Sequence, residues 1–321
     1  MQTIKTILMA ATALTLMSGA ALAAGGNEAY TTQTGTGADA TINQTLAGDS
    51  WADTNQTGSG NSLTVLQSGS NQTVGTRDFI DSGDVQQSAS GNILQIMQSG
   101  ASNTVAKASQ ASDDNYLSIN QEGEGNSLAS ARQTGEAGDE GNFAQLSFVG
   151  NNNGTSTALL ANGRANNELV QVGSDNTVLA SFAGNSNNFR IEQAGSANVL
   201  SSSIGGNGNL LDVTQWGAGH EGYVSASGAD SNSIYTQQYG QKNTFNVALI
   251  PGADGNQLIV FQGEGSSNNT ANLYSATSGN FSEIIQNGTG NTATIDTTEG
   301  GGDNVASTYQ ENSSNTVSVY Q

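Results

Sequence analysis

Apolar and polar residues alternate along this chain with a period of two, in short runs broken by Gly, Ser and Asn. In NILQIMQSGASNTV (Asn92 to Val105), Asn92, Leu94, Ile96 and Gln98 fall on one face and Ile93, Gln95 and Met97 on the other, the spacing of a β-strand. Ser-Gly-Ala-Ser then reads as a turn, with Gly100 free to take a positive φ. A second strand starting at Asn103 returns Val105 to the inner face. The predicted unit is strand, tight turn, strand, second turn.

The unit recurs as NFRIEQAGSANVL from Asn188 and as NSIYTQQYGQKNTFNV from Asn232. Along the second half, Gln171, Gln193, Gln215, Gln238, Gln262, Gln286 and Gln310 are separated by 22, 22, 23, 24, 24 and 24 residues. Of 25 Gln, eleven have Gly two residues later; about three would do so by chance at this Gly content, so the repeat is real. A unit of this length cannot bury one face alone, so it must stack on its neighbours. The expected fold is therefore an all-β solenoid of about a dozen rungs of about 23 residues, stacked as in cross-β structure. At the strand spacing of about 4.7–4.8 Å, Gln lies over Gln and Asn over Asn, and their amides bond into ladders. The residues assigned to these ladders are Gln98, Asn103, Gln121, Asn126, Gln193, Asn198, Gln238, Asn243, Gln286, Asn291, Gln310 and Asn315. The turn glycines are Gly100, Gly123, Gly195, Gly240 and Gly288.

The repeat is imperfect. GTRDFIDSGDV (Gly75 to Val85) intervenes between units, and GEAGDEG (Gly135 to Gly141) and GAGHEGY (Gly217 to Tyr223) read as enlarged turns. Phe148 stands where Gln is expected, and Lys107 would point inward unless the register shifts there.

Composition explains why ladders are needed. Hydrophobic residues are 35% of the 321, Gly contributes 42 and charged residues 11%, with one Pro and no Cys. Such a chain cannot bury a large apolar interior, and it lacks the charge and Pro content of a disordered one. The absence of Cys removes thiolate chemistry and disulfides. With 27 acidic against 7 basic residues, a nucleic-acid partner is not expected. Lys5, the apolar run from Ile7 to Met17 and Ala21-Leu22-Ala23 read as a secretory signal, residues 1–23. No later stretch is apolar enough for a membrane span.

Chemistry is sparse. His220 is the single His and occupies a turn position where Asn is expected. The carboxylate pairs Glu122/Glu124 and Asp139/Glu140 lie in Gly-rich turns, without the burial that tunes a catalytic acid. Acidic turns such as TEGGGDN (Thr298 to Asn304) offer oxygens for calcium, but no calcium-binding repeat recurs in register. No enzyme activity and no cofactor are expected. Tyr235, Tyr239, Phe245, Tyr309 and Tyr320 are read as packing residues.

Gln, Gly two residues on and Asn five residues on, within repeats of about 23 residues after a signal, resemble the curlin repeat. The resemblance covers the chain from about Asn27 to Gln321 and implies a secreted, cell-surface fibre subunit of a Gram-negative biofilm matrix. It further implies a homopolymer, a nucleator subunit as partner and an outer-membrane export pore reached from the periplasm. On this reading residues 24–30 are a short N-terminal segment and 31–321 the repeats. The chain has about twice the repeats of the best-known members, and only AAGGNEAY precedes the first. The last repeat reaches Gln321 without a capping helix, which favours open-ended stacking over the alternative, a monomeric solenoid adhesin or ice-binding protein with a flat Thr-bearing face.

Overall fold

The computed structural model describes residues 26–76, 84–135, 141–155, 167–299 and 301–321. The signal reading of residues 1–23 and most of GEAGDEG and GTRDFIDSGDV lie outside them. The fold is all-β, with no helix among the described residues, and is a parallel β-solenoid of about 12 turns roughly 23 residues apart. It divides into two compact units, residues 1–174 and 175–321.

In each unit a turn of the solenoid supplies one strand to each of two facing parallel sheets. In the second unit, strands Asn188–Ser196, Leu210–Ala218, Ser233–Gln241, Gln257–Gln262, Phe281–Gln286 and Val305–Gln310 form the first sheet. Strands Thr177–Ala183, Val199–Gly205, Glu221–Ala226, Thr244–Leu249, Thr270–Ser275, Thr292–Thr297 and Thr316–Tyr320 form the second. Pairing is in register, Gln193 beside Gln215, Gln215 beside Gln238 and Gln238 beside Gln262. One face of every strand is thereby fixed to the core, because a slip of one residue would turn the apolar set to solvent.

The core between the sheets is thin and regular. Phe189, Ile191, Leu211, Val213 and Ile234 from one sheet meet Val178, Phe182, Leu200 and Phe245 from the other, all fully buried. The alternation read at Asn92–Gln98 holds: Asn92, Leu94, Ile96 and Gln98 are buried, and Ile93 and Met97 are 38% exposed.

The first unit likewise has two facing parallel sheets, one of them interrupted. Strand Trp51–Thr57 pairs with both Thr73–Val74 and Val85–Gln87, the two halves of one strand opened by the Gly75–Val85 insertion. One rung on, Thr104–Val105 and Ala108–Gln110 are separated by Ala106 and Lys107. This break shifts the alternation, so Val105 and Ala108 are both buried while Lys107 turns outward, 62% exposed. The expected register shift is what keeps an ammonium out of the core. Lys107 lies 3.8 Å from Asp84, whose carboxylate also accepts from the Thr76 N–H at 3.0 Å. Burial, and then the Asp84 charge, raise the Asp53 carboxyl above the ordinary Asp range.

Two expectations change. GAGHEGY is not an enlarged turn: Leu210–Ala218 runs into Glu221–Ala226 through a turn as short as the one after Gly195. Asn27 is already buried and strand Glu28–Thr34 pairs with Trp51–Thr57 over its full length, so the stack starts inside the segment read as preceding the repeats.

Candidate functional site

The amide ladders are the chain's most regular chemical feature. In the first unit the Nε2 of each Gln donates to the Oε1 of the next rung's Gln. Gln33, Gln56, Gln87, Gln110, Gln133 and Gln171 form one such column, at 2.6–2.9 Å. Gln44, Gln67, Gln98 and Gln121 form another on the facing sheet, at 2.8–2.9 Å. In the second unit Gln193, Gln215, Gln238, Gln262, Gln286 and Gln310 form a column at 2.8–2.9 Å. The other Nε2 hydrogen crosses the core: Gln193 donates to the Thr177 carbonyl at 3.0 Å and Gln286 to that of Thr270 at 2.9 Å. Each amide thus ties its own two sheets together and its rung to the next. An unpaired buried amide costs about 1–3 kcal/mol, which the column avoids at every interior rung.

Asn residues at the strand starts form columns of opposite sense. The Asn126 backbone N–H donates to Asn103 Oδ1 at 2.9 Å, and that of Asn209 to Asn187 Oδ1 at 3.0 Å. The same Asn side chain reaches a Gly carbonyl in the following rung, Asn103 to Gly123 at 3.0 Å and Asn198 to Gly217 at 3.2 Å. That carbonyl explains the Gly two residues after Gln. Gly195 has φ 114°, and a Cβ on it would lie 1.9 Å from the Gly217 oxygen. Gly100, Gly123, Gly240 and Gly288 are held the same way, with φ of 93–117° and a next-rung carbonyl 1.9–2.0 Å from any added Cβ. The position before the Asn also has positive φ, but near 55°, and there the chain accepts Ser102, Ala197 and Lys242.

The predicted ladder residues separate into four columns. Gln98 and Gln121 belong to the uninterrupted sheet of the first unit and Asn103 and Asn126 to the interrupted one. Gln193, Gln238, Gln286 and Gln310 belong to the first sheet and Asn198, Asn243, Asn291 and Asn315 start strands of the second, in the second unit. All are buried except Asn315. The sequence reading took them as one equivalent set per rung. In the first unit the Gln repeat is half a rung, and the signal is present in the sequence: Gln33 and Gln44, Gln56 and Gln67, Gln87 and Gln98, and Gln110 and Gln121 are each eleven apart. The Gln column of the uninterrupted sheet ends where Phe148 pairs with Gln121. In the second unit this position holds Phe182, Ile204, Ala226, Leu249, Ser275 and Thr297.

His220 takes an Asn place. It is fully buried; its N–H donates to Asn198 Oδ1 at 3.1 Å, and its Nδ1 accepts from the Asn243 N–H at 3.3 Å. Burial lowers its pKa from 6.5, against smaller opposing contributions from backbone hydrogen bonds at Trp216, Gly240 and Asn243. A His kept neutral in the fold and protonated when unfolded stabilises fully above about pH 6.5, and that stability falls as pH drops toward the lowered value. Melting at pH 7.5 and 5.5 is therefore expected to show a loss on acidification that His220→Asn reduces; an identical loss in both proteins would refute this role.

Glu122 and Glu124 are exposed, not in a turn as expected but at the end of strand Tyr116–Glu124; Glu299 and Asp303 are exposed in turns, and Asp139 and Glu140 lie outside the described residues. Among the described residues no three His, Asp or Glu side chains gather as a metal site.

The column directions give the two edges distinct chemistry. Strands Glu28–Thr34 and Asp39–Gly48 in the first unit, and Val305–Gln310 and Thr316–Tyr320 in the second, each pair on one side only among the described residues. At the first edge Gln33 and Gln44 use Nε2 and leave Oε1 as an acceptor. At the second, among the described residues, Gln310 Nε2 donates only to the Thr292 carbonyl, and Asn304 and Asn315 Oδ1 accept nothing. The sequence matches no protein-family model and has no significant match among curated proteins.

Proposed function

We propose that the chain is a structural subunit of an extracellular fibre, adding copies end to end in one polarity as a functional amyloid for adhesion and biofilm scaffolding. The observation that carries this reading is the complementarity of the edges. Gln310 Nε2–H suits Gln33 Oε1 in a second copy, and the Asn304 and Asn315 Oδ1 atoms suit the strand-start N–H groups of Asn27 and Ala38. Parallel edge strands with unmet backbone groups template such addition. The acidic composition keeps subunits apart before assembly. The likeness to the curlin repeat supports the same role, along with secretion through an outer-membrane pore, a nucleator partner and no catalysis.

The purified chain at micromolar concentration is expected to form fibres with a meridional reflection near 4.7–4.8 Å. Changing Gln310 and Asn315 together to Ala should slow elongation several-fold, by removing one ladder bond and one acceptor. A chain that stays monodisperse, or a double variant that elongates at the parent rate, counts against the reading.

One observation favours a second reading, a monomeric solenoid that binds a surface. Thr244, Thr270, Thr292 and Thr316 stand in register on the outer face of the second unit's second sheet, a hydroxyl row at strand spacing. A monomer that inhibits ice recrystallisation, and loses this with Thr270→Val and Thr292→Val, would establish it.

A further inference from the structure

The two outer faces of the second unit differ in arrangement. The second sheet sets a Thr column and Asn246, Asn272 and Thr294 among exposed Tyr223, Tyr274 and Tyr320, which polar residues such as Asp296 separate from one another. The first sheet shows aromatic and aliphatic side chains in adjacent columns. Tyr235 pairs with Ile259, and Phe261 with Ile285, while Trp216 lies beside Tyr239. Their rings run along the stack, Trp216 to Tyr239 at 5.5 Å and Tyr239 to Phe261 at 6.0 Å between centroids. These side chains are half-buried against each other, with Trp216 38% exposed, and they alternate with the inward residues, so the core does not need them.

The charges on this face of a chain with net charge −20 are few and held by partners. Arg190 is buried and pairs with Asp212 at 3.2 Å and with Glu192, which also accepts from Trp216 Nε1 at 2.9 Å, and Glu283 accepts from the Ser307 hydroxyl at 3.0 Å. Two copies repel over most of their surface but meet few carboxylates here. Side chains in straight columns on parallel strands also suit a partner sheet about 10 Å away carrying the same spacing. The same face of a second copy provides that.

We infer that this face packs against the same face of a second copy, joining stacks side by side. The inference rests on the fibre reading. Five strands at about 4.8 Å and six residues at about 3.3 Å give a footprint of about 475 Å². A stable pair of proteins uses about 800 Å² per partner, so the contact is too small for a soluble dimer. Repeated along two fibres it becomes multivalent, and lateral pairing is then a property of the assembled state.

The test measures mass per unit length by dark-field electron microscopy, with elongation followed separately by dye fluorescence. Parent fibres should carry twice the mass per length of a single stack. Phe261→Lys should halve it while elongation stays within about twofold, and Asn272→Lys on the opposite face should leave it doubled. Should Phe261→Lys fail to fold by circular dichroism, Tyr235→Lys carries the same comparison. Parent fibres of single-stack mass, a variant that stays doubled, or an equal loss in Asn272→Lys overturns lateral pairing and leaves end-to-end assembly standing. A parent chain that forms no fibres overturns both.

Discussion

Gly195→Val is expected to destabilise the second unit by about 2–6 kcal/mol, the sum of a strained positive φ at about 1–3 kcal/mol and overpacking of similar size. Gly195 has φ 114° and would place its new Cβ 1.9 Å from the Gly217 carbonyl oxygen, which is backbone and cannot step aside. The same oxygen accepts from Asn198 Nδ2, so the substitution also breaks an Asn bond between rungs. Gly208→Ala is the control. Its φ is 67° and the nearest atom to an added Cβ, Ser231 Oγ, is 3.6 Å away, so only the left-handed strain of about 1–2 kcal/mol applies. Thermal melting followed by circular dichroism should separate the two by roughly 5–10 °C. Equal melting temperatures would mean that rungs do not approach as closely as this geometry requires.

Gln238→Glu is expected to destabilise by about 3–5 kcal/mol at neutral pH, the range for an uncompensated buried charge. Gln238 is fully buried; it accepts from Gln215 Nε2 at 2.8 Å and donates to Gln262 Oε1 at 2.9 Å. A carboxylate can keep the first bond but turns a lone pair toward the Gln262 oxygen and toward the Glu221 carbonyl, which the native amide meets at 3.3 Å. Burial and these two acceptors raise the folded pKa of the new Glu above its unfolded value of about 4.3. The penalty is therefore absent below about pH 4, grows as pH rises, and levels off above the raised folded pKa. The stability difference from the parent should shrink markedly between pH 7 and pH 4. A difference independent of pH would mean that water reaches the column. The chain's own Phe148, in register with Gln121, shows the tolerated alternative: an apolar group with no charge to desolvate.

Legibility followed the range of the interaction. Strand alternation, turn position and the need to stack could be read from Asn92–Val105 because they are set within a dozen residues. The outward turn of Lys107 was legible because a buried ammonium is costly whatever surrounds it. The role of Gly195 was legible only in part: a positive φ follows from the turn, but the carbonyl that excludes a side chain comes from the next rung. His220 was placed correctly in an Asn position, while its bonds to Asn198 and Asn243 needed the neighbouring rungs.

The sequence by itself determined the β class, the rung length and the identity of the stacking amides, since a period-two pattern repeated about every 23 residues leaves few ways to satisfy buried Gln and Asn. Only the tertiary structure decided which sheet each amide joins. Gln56 and Gln98 carry the same local motif yet lie on opposite sheets of the first unit. In the first unit both halves of a rung present the pattern of strand, Gln, Gly and Asn, so local sequence cannot tell them apart there. The choice is made by which neighbour each half stacks upon. That same stacking gathers Tyr235, Ile259, Phe261 and Ile285, far apart in the chain, onto one face.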